Sequence, residues 1–174
     1  MGNELVAVSD AGPLIHLTEI DCLSLLSMFG QLYVPNAVWH ETVEQSRVSQ
    51  TAFLALGNVQ KYTPTESAVL HFAEQSGLGE LHAGERECLY LCSELKVSTV
   101  LTDDLAVREA AHNQGVTPVG SLGIVVRAYH AGHILLSEAK EYIVGLYDVS
   151  SLYVTRAIVE IAVKQLDTQI KGGT

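Results

Sequence analysis

The stretch Leu5-Val6-Ala7-Val8-Ser9-Asp10-Ala11-Gly12-Pro13-Leu14-Ile15 constrains the fold more than any other part of the chain. It is apolar with almost no alternation, which suits a strand buried on both faces of a parallel sheet. It ends in one carboxylate, after which Gly12 and Pro13 turn the backbone. Asp10 therefore stands at the carboxyl end of its strand, the rim at which open α/β sheets bind ligands. Residues 97–101 form a second run of this kind, closed by Thr102-Asp103-Asp104 much as Ser9-Asp10 closes the first.

Between and beyond these runs the pattern alternates. Residues 20–29 read as a short helix stopped by Gly30, and Leu32-Tyr33-Val34 as a brief strand closed by Pro35. A helix is predicted from Ala37 to about residue 50, with Glu41 between Ala37 and Val38 on its inward face. Residues 59–62 suit an edge strand, and Thr65 an N-cap for a helix over 66–75. The clearest helix spans 83–96: Cys88, Leu89, Cys92 and Leu95 form its apolar stripe, and Glu85 lies on that stripe in the first turn. The helix dipole favours an acid there, but does not explain why Glu85 points inward. Asp103 or Asp104 caps a helix over 105–114. Residues 116–119 form a strand, and helices begin at Ser121, Ser137 and Ser151, the last running to about residue 169. The fold class is thus α/β with a central, mainly parallel sheet. The whole chain, 1–174, is expected to form a single domain with a C-terminal helical extension from about residue 137.

With 174 residues, 48% of them hydrophobic, the chain can bury a full core. No apolar run approaches the ~18 residues of a membrane span, and no basic leader precedes the first one. A soluble, cytoplasmic protein without a membrane partner is expected. Cys22, Cys88 and Cys92 match neither a zinc knuckle nor a redox pair, and read as buried thiols. Acids outnumber bases by 20 to 10, and the bases are scattered. Bulk charge therefore cannot drive nucleic-acid affinity, which directs attention to acids gathered in a metal site or to a basic protein partner.

Four carboxylates share a placement: Asp10 and Asp104 at strand ends, Glu41 and Glu85 inward on helices. Two carboxylates about 4 Å apart repel by roughly 4 kcal/mol at an effective dielectric near 20. Several such pairs would cost a sum comparable with the stability of a whole domain. Convergence therefore requires shared protons or bound cations, and oxygen-only ligation selects Mg²⁺ or Mn²⁺ over zinc. Such a centre suits in-line attack on a phosphodiester. A phosphoryl-transfer or receiver-type domain with an acidic Mg²⁺ pocket is the competing class. However, dehalogenase-like enzymes need an acid where this chain has Gly12, and receivers pair their acids near the first strand.

The segments Val8-Ser9-Asp10-Ala11-Gly12-Pro13-Leu14-Ile15, Val34-Pro35-Asn36-Ala37-Val38-Trp39-His40-Glu41, Gly84-Glu85-Arg86-Glu87 and Leu101-Thr102-Asp103-Asp104 resemble, in order and spacing, the four acidic motifs of PIN domains. The likeness covers about residues 5–134 and extends to a toxin-like prokaryotic subgroup. It implies a three-layer α/β/α sandwich and a metal-dependent ribonuclease, the toxin of a toxin–antitoxin pair. Asp10 resembles the first-strand metal ligand, Glu41 the helix acid, Glu85 the third acid and Asp104 the acid of the Thr-x-Asp turn. Glu85 is one methylene longer than the more frequent Asp, which suits ligation through water. Asp103 stands where many relatives carry a neutral residue, either as a fifth acid on the metal or, as favoured here, a solvated cap. His16 is expected to be a core or dimer-surface histidine. The implied cofactor is Mg²⁺ or Mn²⁺. The implied partners are an RNA substrate, a small antitoxin with a basic segment and a second copy of the chain. An idle PIN fold that only receives a basic partner segment is the alternative.

Overall fold

The computed structural model describes residues 5–168. The opening apolar run forms β1 (Val6–Ser9), with Ala7, Val8 and Ser9 wholly buried. Asp10 ends the strand and caps α1 (Ala11–Glu19), so Gly12 and Pro13 lie inside the first helical turn. Proline is tolerated so early in a helix because its missing N–H has no partner to lose there. Residues 20–29 do not build an α-helix. Their ordered part is a 3₁₀ helix, Leu23–Met28, entered through Asp21 at a φ of 55°.

β2 (Gln31–Pro35) leads into α2, which covers only Asn36–Trp39 before the backbone widens into a π-helical turn at His40–Glu44. The long straight helix expected from Ala37 to about residue 50 is therefore not present. The buried Thr42 hydroxyl donates to Val38 O at 2.8 Å, and Ser46 turns left-handed at a φ of 57°. Hydroxyl back-bonding of this kind bends a helix. The chain then re-forms as α3 (Gln50–Leu54), and β3 (Val59–Tyr62) follows as the expected edge strand. α4 (Glu66–Gln75) and α5 (Ala83–Glu94) precede β4 (Thr99–Leu101); α6 (Leu105–Asn113) then leads to β5 (Thr117–Val119) and α7 (Ser121–His130). α8 spans Leu136–Asp148. The last helix, α9 (Arg156–Leu166), is capped by Thr155 and starts later than Ser151 suggested. Ser151 instead donates from its N–H and hydroxyl to Glu19 at the end of α1, which holds residues 151–154 outside the helix.

The sheet order is β3-β2-β1-β4-β5, and all four pairings are parallel. The chain winds outward from β1 in one direction, then returns to the other side of β1 for β4 and β5. Right-handed crossovers in opposite directions put helices on both faces, so the α/β sandwich expected of a PIN-like fold is realised. α5 packs across β1, β2 and β4, with α4 beside it. α1 contacts α7, on which α8 and α9 stack. One apolar core runs through both faces and includes Ala7, Leu32, Leu89, Ile124, Ile143 and Leu166. Pro118, which cannot donate to a ladder, sits on the edge strand β5 where this does no harm. Among the described residues no helix is long and apolar enough to cross a membrane. The three cysteines are buried free thiols, and burial pushes Cys22 and Cys92 up to about 12.

Candidate active site

The reversal of winding between β1 and β4 opens a crevice at their carboxyl ends, the switch point at which doubly wound sheets bind ligands. Asp10 and the Thr102-Asp103-Asp104 turn emerge on either side of it. The Asp10 N–H donates to Leu101 O at 2.9 Å, tying the two strand ends together. Above that tie the Asp10 carboxylate is buried: Ala11 N–H donates to Oδ1 at 2.8 Å and Thr102 Oγ donates to Oδ2 at 3.0 Å. The same Thr102 oxygen accepts the N–H of Asp104 at 3.2 Å. Asp104 in turn caps α6, its Oδ1 accepting Val107 N–H at 3.0 Å. One buried hydroxyl thus sets the spacing between two acids.

Glu41 rides on the π-helical turn and is exposed, whereas Glu85 enters from the first turn of α5. Glu85 also accepts the N–H of His82 at 2.8 Å, so it caps its own helix while facing inward. The α5 start can lie against α2 because residue 84 is glycine. A methyl there would stand 3.3 Å from Val38 Cγ2 and 4.0 Å from Glu41 Oε2.

Asp103 does not cap α6 and is not a solvated acid. Its Oδ1 accepts Ser121 N–H at 2.7 Å, and its Oδ2 contacts Ser121 Oγ at 2.5 Å and His16 Nδ1 at 2.8 Å. It therefore fastens the start of α7 to α1. His16, anticipated in the core or on a dimer surface, instead pairs with an acid at the cavity wall.

These side chains line one cavity of about 380 Å³: Asp10, Glu41, Glu85, Asp103 and Asp104, with His16 and His82 and with Ser151, Leu152 and Tyr153 along its rim. Burial, above all, pushes Asp10 from its ordinary 3.8 to about 6. Hydrogen bonds from Ala11 and Thr102 oppose the rise, and the charges of Glu85 and Glu41 add to it. Among the described residues, no three His, Cys, Asp or Glu side chains stand close enough to form a closed metal-binding group. An all-oxygen set around a carboxylate raised chiefly by burial, with the charges of Glu85 and Glu41 adding to the rise, fits a hydrated hard cation, held partly through water, better than a compact cage.

Three contributors escaped the sequence reading. Thr102 lay within a quoted motif, but nothing in the pattern showed its hydroxyl buried between two acids. Ser121 was read only as a helix start. Glu87, quoted only as part of a motif, accepts Ala37 N–H at 2.8 Å and clamps α5 to the start of α2.

The fold and rim define a class: a doubly wound α/β domain with an acidic cavity at its switch point. A family model described as a PIN domain matches residues 6–168. The chain belongs to the PIN-domain family, whose members are generally nucleases and typically use Mg²⁺ or Mn²⁺. A comparison with curated proteins finds no match.

Proposed function

We propose that this protein is a metal-dependent endoribonuclease that hydrolyses RNA phosphodiesters, and that it acts as the toxin of a toxin–antitoxin pair. The observation that carries the reading is the meeting of four acids from distant motifs, Asp10, Glu41, Glu85 and Asp104, around one cavity at the sheet's carboxyl rim. Asp10 and Asp104 would hold Mg²⁺ or Mn²⁺, with Glu85 reaching it through water. Asp103, with three of its carboxylate's acceptor positions already used, is the weakest ligand and the better positioning residue. A divalent cation there supplies charge neutralisation at the scissile phosphate and lowers the pKa of an attacking water. Glu41, exposed at the mouth, would accept a proton from such a water or orient it. Thr102 keeps Asp10 and Asp104 at fixed spacing, and the His16–Asp103–Ser121 chain fixes the wall behind them.

The same acids suit the basic segment of a small antitoxin, which would occupy the cavity and silence it. A homodimer belongs to the same reading, because Ile158 and Ile161 of α9 are exposed while Ala162 and Leu166 are buried. Sedimentation as a dimer at micromolar concentration checks this point. The central test is cleavage of RNA by the purified chain. Chelation should stop it, added Mn²⁺ or Mg²⁺ should restore it, and Asp10→Asn should abolish it. An unchanged rate in the variant would remove the catalytic assignment.

A further inference from the structure

A second cavity of about 490 Å³ adjoins the acidic one and shares Asp103, Leu152 and Tyr153 with it. It lies between the β5–α7 corner and α9, and its character is different. Arg108 and Arg127 line it, and neither forms an ion pair with a carboxylate among the described residues. Arg108 spends one N–H on Thr102 O, at 3.3 Å. Its outer flank carries Leu105 and Ile161, both exposed, and at the junction of the two cavities Tyr153 is 95% exposed.

We infer that this groove is the track for single-stranded RNA on one side of the scissile bond, with Tyr153 stacking a base and Arg108 and Arg127 meeting the flanking phosphates. The inference rests on the nuclease reading of the acidic cavity and assigns its substrate-binding extension. Continuity comes first, since a polynucleotide seated at the acids must leave across the rim that holds Tyr153. Charge then selects the occupant. In a chain of net charge −10, two guanidiniums without carboxylate partners favour a polyanion and repel the basic segment that the acids would attract. An aromatic ring left almost wholly in water gains burial when a base stacks on it, and stacking tolerates any sequence because every base has a π face. The scattered bases of the sequence thus include two that the fold brings to one place.

The test separates binding from cleavage. A short, fluorescein-labelled oligouridine with phosphorothioate linkages, which keep the backbone charge and resist attack at phosphorus, is titrated with the full chain in Mg²⁺ and followed by anisotropy over a range of salt. Tyr153→Ala should weaken binding roughly tenfold or more, and Tyr153→Phe should restore it. Arg127→Gln should reduce the salt slope by about 0.7. Unchanged melting curves show that the variants fold. Weakened binding in a protein that cleaves no RNA supports the groove and removes the nuclease reading. Cleavage with wild-type KM in both Tyr153→Ala and Arg127→Gln overturns the groove and leaves the nuclease. Absence of RNA binding by the wild type, or variants that lose affinity only for an acidic or apolar peptide, overturns the groove as well.

Discussion

Asp10 is a buried carboxylate that folding makes harder to ionise. Its pKa rises from 3.8 to about 6, so between those values the folded chain keeps a proton that the unfolded chain has lost. Stability attributable to this group is fully present below pH 4 and is lost as pH rises through 6. Above that, the ionised form costs about 3 kcal/mol. In chelated protein, Asp10→Asn should therefore be more stable than wild type at pH 7 to 8. The advantage should shrink as pH falls and vanish near pH 4, as urea denaturation across pH would measure. Gly120 supports the site differently, through space. A methyl there would stand 2.7 Å from Asp103 Oδ1, which Ser121 N–H already holds while His16 holds the other carboxylate oxygen. Gly120→Ala should cost roughly 1–3 kcal/mol, whereas Gly79→Ala, with nothing within 4 Å, should be nearly neutral.

Among the elements, those with a continuous apolar run or stripe are the legible ones. β1, β4, α5 and α7 follow from apolar runs and stripes because burial fixes both their period and their ends. α2 was misread because periodicity alone cannot register one extra residue in a turn. Within the π-helical turn Thr42 bonds back to Val38, an interaction that bends a helix and leaves no mark on the apolar pattern. The late start of α9 has the same kind of cause, since Glu19, more than 130 positions away, draws Ser151 out of the helix. The acids could be nominated from their motifs, but the Thr102 bridge and the His16–Asp103 pair depend on strands and helices distant in sequence. The Glu87 clamp is a further long-range bond. Burial raises its pKa while the Ala37 N–H opposes the rise. Glu87→Ala should destabilise the α2–α5 junction by about 1–3 kcal/mol, while Glu87→Gln, which keeps an acceptor, should recover most of the loss in thermal melts.

At the scale of the molecule, the winding reversal and the charge act together. A sequence gives the order of its elements but not which strand lies beside β1. That choice, β2 on one side and β4 on the other, is what brings Asp10 next to the Thr102-Asp103-Asp104 turn. The chain then gathers five carboxylates at one rim while carrying a net charge of −10. Repulsion stored there is relieved by any ion that binds the folded cavity and not the unfolded chain. Mn²⁺ at a hundredfold excess over its dissociation constant should therefore stabilise the fold by about 2.7 kcal/mol. For a chain of this length that raises the melting temperature by roughly 5–10 °C. The shift should be sharply reduced in Asp10→Asn, which removes the charge at the centre of the set. It should persist in Glu44→Gln, whose carboxylate pairs with His40 on the exposed surface and does not line the cavity. Equal shifts in all three proteins would mean that the metal acts through surface charge, and the rim would lose its claim to be the site.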